Sequence, residues 1–171
     1  TLCLQIMDHN PNALVYYGEI LWAKGEEEEQ RACFEKGVQQ GWHEAKEALA
    51  LSLAGTSAIQ EDPAVRWRYI TLLRDLTEVP YMQFLTSLLF LKPGPYTKPN
   101  YDTFKYWLEL AAQHNEGQAY HALALQYNYG QYGYPKDYGK ALFCMEKAIE
   151  LGFEDVNNDL KMIKKNMQKQ Y

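Results

Sequence analysis

The sequence predicts an all-α fold in which antiparallel helix pairs stack into an α-solenoid. Gly41, Asn115 and Gly152 each end a helical pattern, and they are regularly spaced. Asn115 and Gly152 are 37 residues apart, while Gly41 precedes Asn115 by 74 residues, which is two such intervals. A fourth boundary is therefore expected near Glu78, with Pro80 as the helix stop. A fixed period of this length is typical of a helical repeat.

Apolar residues recur in columns after these boundaries, as the stacked first helices of a repeat require. One column consists of Ala45, Met82, Ala119 and Val156, and another of Leu49, Thr86, Leu123 and Leu160. A column of small residues contains Ala50, Ser87 and Ala124. Small side chains at one position predict close approach of neighbouring helices.

The second helices of the repeats have their own apolar stripes. One consists of Phe104, Trp107, Leu108, Ala111 and Ala112, and the next of Ala141, Cys144, Met145, Ala148 and Ile149. Asp62 and Asp137 lie where such helices need a capping residue. The predicted repeats span approximately residues 11–41, 42–78, 79–115 and 116–152, followed by a helix in 153–171, within a single domain of residues 1–171.

Two charged segments have structural interpretations. The acidic run Glu26–Glu29 is expected to begin a helix, where its charge complements the helix dipole. The C-terminal segment has Val156, Leu160, Ile163 and Met167 on one face and lysines largely on the others. Such a helix could bind a membrane surface. A terminal cap for the repeat array is the favoured interpretation.

Composition excludes several classes of protein. A net charge of −5 argues against a general nucleic-acid binder, and the apolar run from Val79 to Leu91 is too short to span a bilayer. Cys33 and Cys144 lie in apolar helical stripes and are expected to act as small hydrophobic residues, with no obvious disulfide framework. Because the sequence starts at Thr1 without methionine, a leader or another domain is expected to have preceded it.

No catalytic or cofactor motif is present in the sequence. The four histidines, at positions 9, 43, 114 and 121, lack neighbouring ligands at zinc spacing. We therefore predict a non-enzymatic protein with neither cofactor nor metal.

The last repeat resembles a known family. Its matching residues are Ala119, Leu123, Tyr127, Gly130, Gly133, Asp137, Lys140, Ala141, Lys147, Ala148 and Gly152. This pattern resembles the Sel1-like repeats, relatives of tetratricopeptide repeats that are common in bacteria. The segment 106–112 is similar to the second helix of that family, and the first two repeats match it less well. The resemblance implies a right-handed α-solenoid that binds proteins as a scaffold, a host-contact protein or an immunity protein.

The predicted binding surface is a concave groove lined by first helices. Its expected residues are Tyr17, His43, Lys46, Gln83, Tyr120, His121, Gln126 and Asn128, with Tyr132 and Tyr134 on the rim. Tyrosines concentrate around a Gly-rich turn near Gly130, and tyrosine suits interfaces because it offers a large contact area with a polar tip. This turn is the strongest functional candidate in the sequence.

Several functions are compatible with these features. The sharpest is a toxin-neutralising immunity protein, expected in the periplasm or elsewhere outside the cytoplasm. The alternatives are a cytoplasmic scaffold in a signalling complex, a structural assembly protein and a helical hydrolase. These features predict a protein partner without specifying which protein it is, and neither nucleic-acid binding nor a transmembrane segment is expected.

Overall fold

The structure, a computed structural model, describes residues 10–91, 98–154 and 156–169. Over these residues the regular structure is entirely helical, as predicted. The helices are α1 (Pro11–Ala23), α2 (Glu27–Gln39), α3 (His43–Ala54), α4 (Ala58–Glu61), α5 (Pro63–Asp75), α6 (Pro80–Leu89), α7 (Tyr101–Gln113), α8 (Gly117–Tyr129), α9 (Tyr138–Glu150) and α10 (Asn157–Gln168). Among the residues described, no helix combines the length and the apolar character needed to cross a membrane.

The helices pack as consecutive pairs. The first pair is α1 with α2, α3 contacts α5, and the later pairs are α6 with α7 and α8 with α9. Each of these pairs falls within one of the four predicted repeat ranges, and α10 falls within the C-terminal range. Helices α1 and α2 are joined by a turn of three residues and pack along each other, so they run antiparallel.

Helix starts follow the capping chemistry of the sequence. The Asp62 carboxylate accepts a hydrogen bond from the backbone N–H of Ala64, and the Asp137 carboxylate accepts one from Lys140, as predicted. Pro80, expected to stop a helix, instead begins α6. Its fixed φ suits the first helical turn, where its missing N–H leaves no hydrogen bond unmade.

Three residues that set the predicted spacing lie just after the ends of helices. Gly41, Asn115 and Gly152 have φ values of 81°, 63° and 85°, in the left-handed region. A residue in this conformation turns the chain out of a helix, and glycine and asparagine adopt it most readily. The period in the sequence therefore records where helices end.

The described chain divides into two compact units, one ending at Leu76 and the other beginning at Thr77. The prediction of a single domain stays a prediction. The core of the first unit includes Leu14, Leu21, Phe34, Leu49, Leu53, Leu72 and Leu73. The core of the second includes Phe104, Leu108, Leu123, Met145, Val156 and Ile163.

The column of small residues is buried as predicted. Ala50, Ser87 and Ala124 are each 0% exposed. The stripe of α9 departs from expectation at one end, because Ile149 is 40% exposed while Ala148 is fully buried.

The cysteines differ from each other in state. Cys144 is buried and free, and burial raises the pKa of its thiol to about 11. Cys33 is buried but disulfide-bonded, so the expectation that it acts only as a small hydrophobic residue is wrong. Cys3 and His9 lie outside the described residues.

Candidate protein-binding site

The first unit contains an open cavity of about 900 Å³, which we call the α1–α3 cavity. Its walls are one face of α1 and one face of α3, and α2 contributes to its base. The α1 wall includes Tyr16, Glu19 and Trp22, and the α3 wall includes Glu44, Glu47, Ala48, Leu51 and Ser52. Because α1 and α3 begin successive helix pairs, the cavity lies between two first helices.

On both α1 and α3, the residues that line the cavity form a stripe beside the stripe that is buried in the core. In α1, Leu14, Gly18 and Leu21 are buried, while the neighbouring positions 16, 19 and 22 are exposed. In α3, positions 44, 47, 48, 51 and 52 follow helical spacing beside the buried Ala45 and Leu49. Each helix thus packs on the core with one stripe and lines the cavity with the next.

The base of the cavity is fixed by Gln30. The Gln30 side chain is 8% exposed, its Nε2 donates to the Gly18 carbonyl at 3.2 Å, and its Oε1 accepts from the Ser52 hydroxyl at 3.1 Å. One amide therefore connects α1, α2 and α3. Phe34 lies beside it in the lining and is 3% exposed.

The lining is acidic and partly aromatic. It contains the carboxylates of Glu19, Glu27, Glu44 and Glu47, and none of its described residues is lysine, arginine or histidine. Trp22 is 67% exposed and Tyr16 is 68% exposed. A large exposed aromatic surface beside polar groups is typical of protein interfaces.

Two of these carboxylates already lie beside basic side chains. Glu27 pairs with Arg31 at 3.0 Å, and Glu47 lies 2.8 Å from the His43 ring. In the part of the chain that is described, Glu19 and Glu44 form no ion pair. The negative charge of the cavity is therefore only partly compensated.

The predicted groove residues of the first unit lie near this cavity but do not line it. Tyr17 is half-buried. His43 contacts Glu47, and the Lys46 ammonium lies 3.5 Å from the Asp75 carboxylate. The binding role predicted for these three residues stays a prediction.

In the second unit, Gln83 and Asn128 are buried, each 2% exposed, so their prediction as groove-facing residues is wrong. The Gln83 side chain donates to the Thr77 carbonyl at 2.7 Å and lies 2.9 Å from the His114 ring. Asn128 accepts a hydrogen bond from Asn166 of α10 at 3.0 Å. Both amides therefore satisfy polar groups of their own unit.

Helix α10 also reaches His121. The imidazole Nε2 lies 2.8 Å from the Asp159 carboxylate, and the ring lies 4.8 Å from that of Phe153. Tyr120 and Gln126 are half-buried on the same helix, α8. Since α10 packs here and buries Ile163, the structure favours the capping interpretation of the C-terminal segment.

The tyrosine-rich turn is mainly a packing feature. Tyr134 is 4% exposed, so its prediction as a rim residue is wrong. Its ring packs edge-on against Tyr127 and Phe104, with centroids at 5.1 and 6.4 Å, and the Lys105 ammonium lies 5.1 Å from its centroid. Burial, together with the nearby Glu109 carboxylate, raises the pKa of the Tyr134 hydroxyl.

Tyr132, on the same turn, is partly exposed to solvent. It is 37% exposed, and its ring packs on Tyr101 and Phe104 at 5.5 and 5.9 Å. Its φ of 53° is unusual for a bulky side chain, and the ring contacts hold it there. Tyr129 donates to the Met162 sulfur at 3.0 Å.

Among the residues that the structure describes, no group of three or more histidine, cysteine or acidic side chains is arranged to hold a metal ion.

The solved structure of a Sel1 repeat protein from Oxalobacter formigenes is similar to this chain, with a TM-score of 0.64 and 21% sequence identity over 84% of the chain. This likeness shows the fold, an all-α Sel1-type helical repeat, and confirms the expectation from the last repeat at that level. The chain spans 59% of the length of that structure. No protein-family model and no curated protein matches the sequence.

Proposed function

We propose that the chain is a non-enzymatic protein-binding module and that the α1–α3 cavity is its binding site. The observation that carries this proposal is the exposure of Tyr16 and Trp22 beside a fixed, buried base at Gln30. Exposed aromatic rings on a rigid frame give contact area at low entropic cost and often dominate binding energy. The tyrosine-rich turn is less suited, because Tyr134 is already buried in its own unit.

The proposal is tested by affinity capture from the native host with three forms of the chain. One is unchanged, one carries Tyr16→Ala and Trp22→Ala, and a matched control carries Tyr106→Ala and Phe143→Ala, which removes aromatic rings of similar exposure from the second unit. We expect one protein to be captured by the unchanged and control chains and lost from the cavity variant. Equal capture by all three forms, or no specific capture, would contradict the proposal.

A more specific role is that of a bacterial immunity protein acting outside the cytoplasm. The disulfide at Cys33 supports this compartment, because disulfides persist mainly in oxidising environments. The similar fold in Oxalobacter formigenes is in keeping with a bacterial source. The captured partner should then be a toxin, and co-expression of this chain should restore the growth of cells that produce it.

The alternative is a cytoplasmic scaffold. It is separated from the immunity role by the state of Cys33 in cells, measured by alkylation before and after reduction and then by peptide mass spectrometry. An oxidised Cys33 supports the extracytoplasmic role, and a reduced one supports the scaffold.

A further inference from the structure

We infer that the α1–α3 cavity binds a basic segment of the protein partner, with a lysine or arginine side chain entering between α1 and α3. This inference rests on the proposed function and adds the chemistry of the segment that is recognised. It concerns a surface of the first unit alone, formed by three consecutive helices.

The negative charge of the cavity lining favours a positively charged side chain of the partner. Four carboxylates line the cavity, and no basic side chain is among its described lining residues. Glu19 on α1 and Glu44 on α3 lack an ion pair within the described part of the chain, so they are available to an incoming charge from two walls. An acidic segment would meet uncompensated like charge, which costs binding energy.

The aromatic and apolar residues select a long side chain that carries its charge at the tip. Trp22, Tyr16 and Leu51 are 67%, 68% and 45% exposed. Lysine and arginine pack their methylene stems on such surfaces while their charged ends remain with polar partners. A guanidinium or ammonium above the Trp22 ring would gain a cation–π contact. A small inorganic cation would leave the apolar part of the lining unused.

The cavity is also preorganised for such a segment. Gln30 ties its base to Gly18 and Ser52, and its polar atoms are already used in those bonds. The entering side chain therefore meets a fixed base and two charged walls, which limits the entropy lost on binding.

The test uses peptides of defined chemistry, with binding measured by fluorescence anisotropy on the full chain. The probe is a capped pentapeptide in which two arginines flank a leucine, and its counterparts replace both arginines by citrulline or by glutamate. We expect the arginine peptide to bind and its affinity to fall when NaCl rises from about 50 mM to about 500 mM, since salt screens exposed charges. The citrulline and glutamate peptides should bind at least about threefold more weakly.

Matched variants locate the site. The double substitution Glu19→Gln and Glu44→Gln should weaken arginine-peptide binding by about three- to tenfold, the range for two exposed ion pairs. The control, Glu146→Gln and Glu154→Gln, changes net charge equally on exposed residues of the second unit and should bind as the unchanged chain does. Trp22→Leu should weaken binding by about two- to fivefold while keeping an apolar side chain. Thermal unfolding by circular dichroism verifies that each variant is folded.

Three results would overturn the inference: no binding of the arginine peptide, equal binding of the citrulline peptide, or equal losses in the Glu19/Glu44 variant and its control. Concentration-dependent dimerisation that is abolished by changing the exposed α10 lysines Lys161 and Lys164 to glutamate would also overturn it, because a second copy would then be the occupant. If the host partner is still captured through Trp22 while the peptides fail, the proposed function stands and only the basic-segment inference falls.

Discussion

At the scale of single residues, the buried amide of Gln30 links three helices of the first unit. It connects a backbone carbonyl of α1 to a hydroxyl of α3 while itself belonging to α2. Sequence patterns place a glutamine in a helix without saying whether it is buried, since glutamine is usually exposed. Helical spacing does place Gln30 on the same face as Cys33, Phe34 and Gly37, so its position and not its residue type indicates burial.

Replacing Gln30 by leucine should destabilise the first unit. The Gly18 carbonyl and the Ser52 hydroxyl would each lose a hydrogen bond to the amide, and one such bond contributes about 0.5–1.5 kcal/mol. Urea unfolding followed by circular dichroism measures this loss. Gln39→Leu, at an exposed position of the same helix, is the control and should leave the unfolding midpoint nearly unchanged.

Gly18 allows the close approach of α1 and α2. A Cβ atom added there would lie 2.2 Å from Phe34 Cζ, and Phe34 is buried and cannot move freely. We expect Gly18→Ala to lower the free energy of unfolding by about 1–3 kcal/mol, the usual cost of overpacking. Gly55→Ala meets open space at a negative φ and is the matched control. Equal effects of the two substitutions would contradict the close-approach explanation.

Cys144 makes the second unit sensitive to alkaline pH. Burial raises the pKa of its thiol from 9.0 to about 11, so the folded chain holds this proton more tightly than the unfolded chain does. Its contribution to stability is therefore complete below about pH 9 and is lost as pH rises towards 11. Tyr134 and Tyr127, whose hydroxyl pKa values are also raised by burial, act in the same direction.

Urea midpoints measured from about pH 8 to about pH 11 check this expectation. Cys144→Ala should remove part of the alkaline loss and leave the part that the tyrosines contribute. The same burial predicts slow alkylation of native Cys144 at neutral pH, because the thiolate is the reactive form. Alkylation as fast as in the urea-unfolded chain would contradict this assignment.

At the scale of elements, helix α10 completes the second unit. Ile163 is 0% exposed and Val156 is 3% exposed, and both belong to the core of that unit. Ile163→Ala should cost about 2–5 kcal/mol, the range for truncating a buried branched side chain. Lys164→Ala, on the exposed face of the same helix, should change stability by less than about 0.5 kcal/mol. Chemical denaturation of both variants provides the comparison.

The sequence was most informative about where helices end and which faces they bury. Gly41, Asn115 and Gly152 adopt left-handed backbone conformations, and the column of small residues (Ala50, Ser87 and Ala124) is fully buried. These features follow from local conformational preference and from helical period, which a single sequence displays directly. The prediction that Pro80 stops a helix is wrong because proline is found both after helix ends and in the first turn of helices. Tertiary packing decides which of these positions it takes.

The site was less predictable than the fold. The number of tyrosines near Gly130 predicts a binding surface, yet Tyr134 is buried and packs within its own unit. Residues such as Trp22 and Glu44 lie one helical face away from the core stripe. The acidic run at the start of α2 predicts a helix start, and it does not predict that Glu27 also lines the cavity. The sequence feature that could have indicated the cavity is a second stripe on α1 and α3, which contains aromatic rings and carboxylates. Which of two stripes is exposed depends on how three helices pack, and that is a property of the folded unit.

At the scale of the whole molecule, the net charge of −5 adds to the local charge of the α1–α3 cavity. A basic partner should be attracted before contact, which raises the association rate at low ionic strength. We expect stopped-flow or surface-binding measurements to show an association rate that falls with added NaCl, and a dissociation rate that changes little. The opposite pattern would indicate that the partner's approach is not guided by charge.

The local construction of the cavity also bears on when it forms. Its tie at Gln30 spans 12 residues to Gly18 and 22 residues to Ser52, and all three residues belong to the first unit. Contacts between residues close in the chain form quickly. We therefore expect the α1–α3 cavity to form early in folding, because the contacts that close its base are short in sequence.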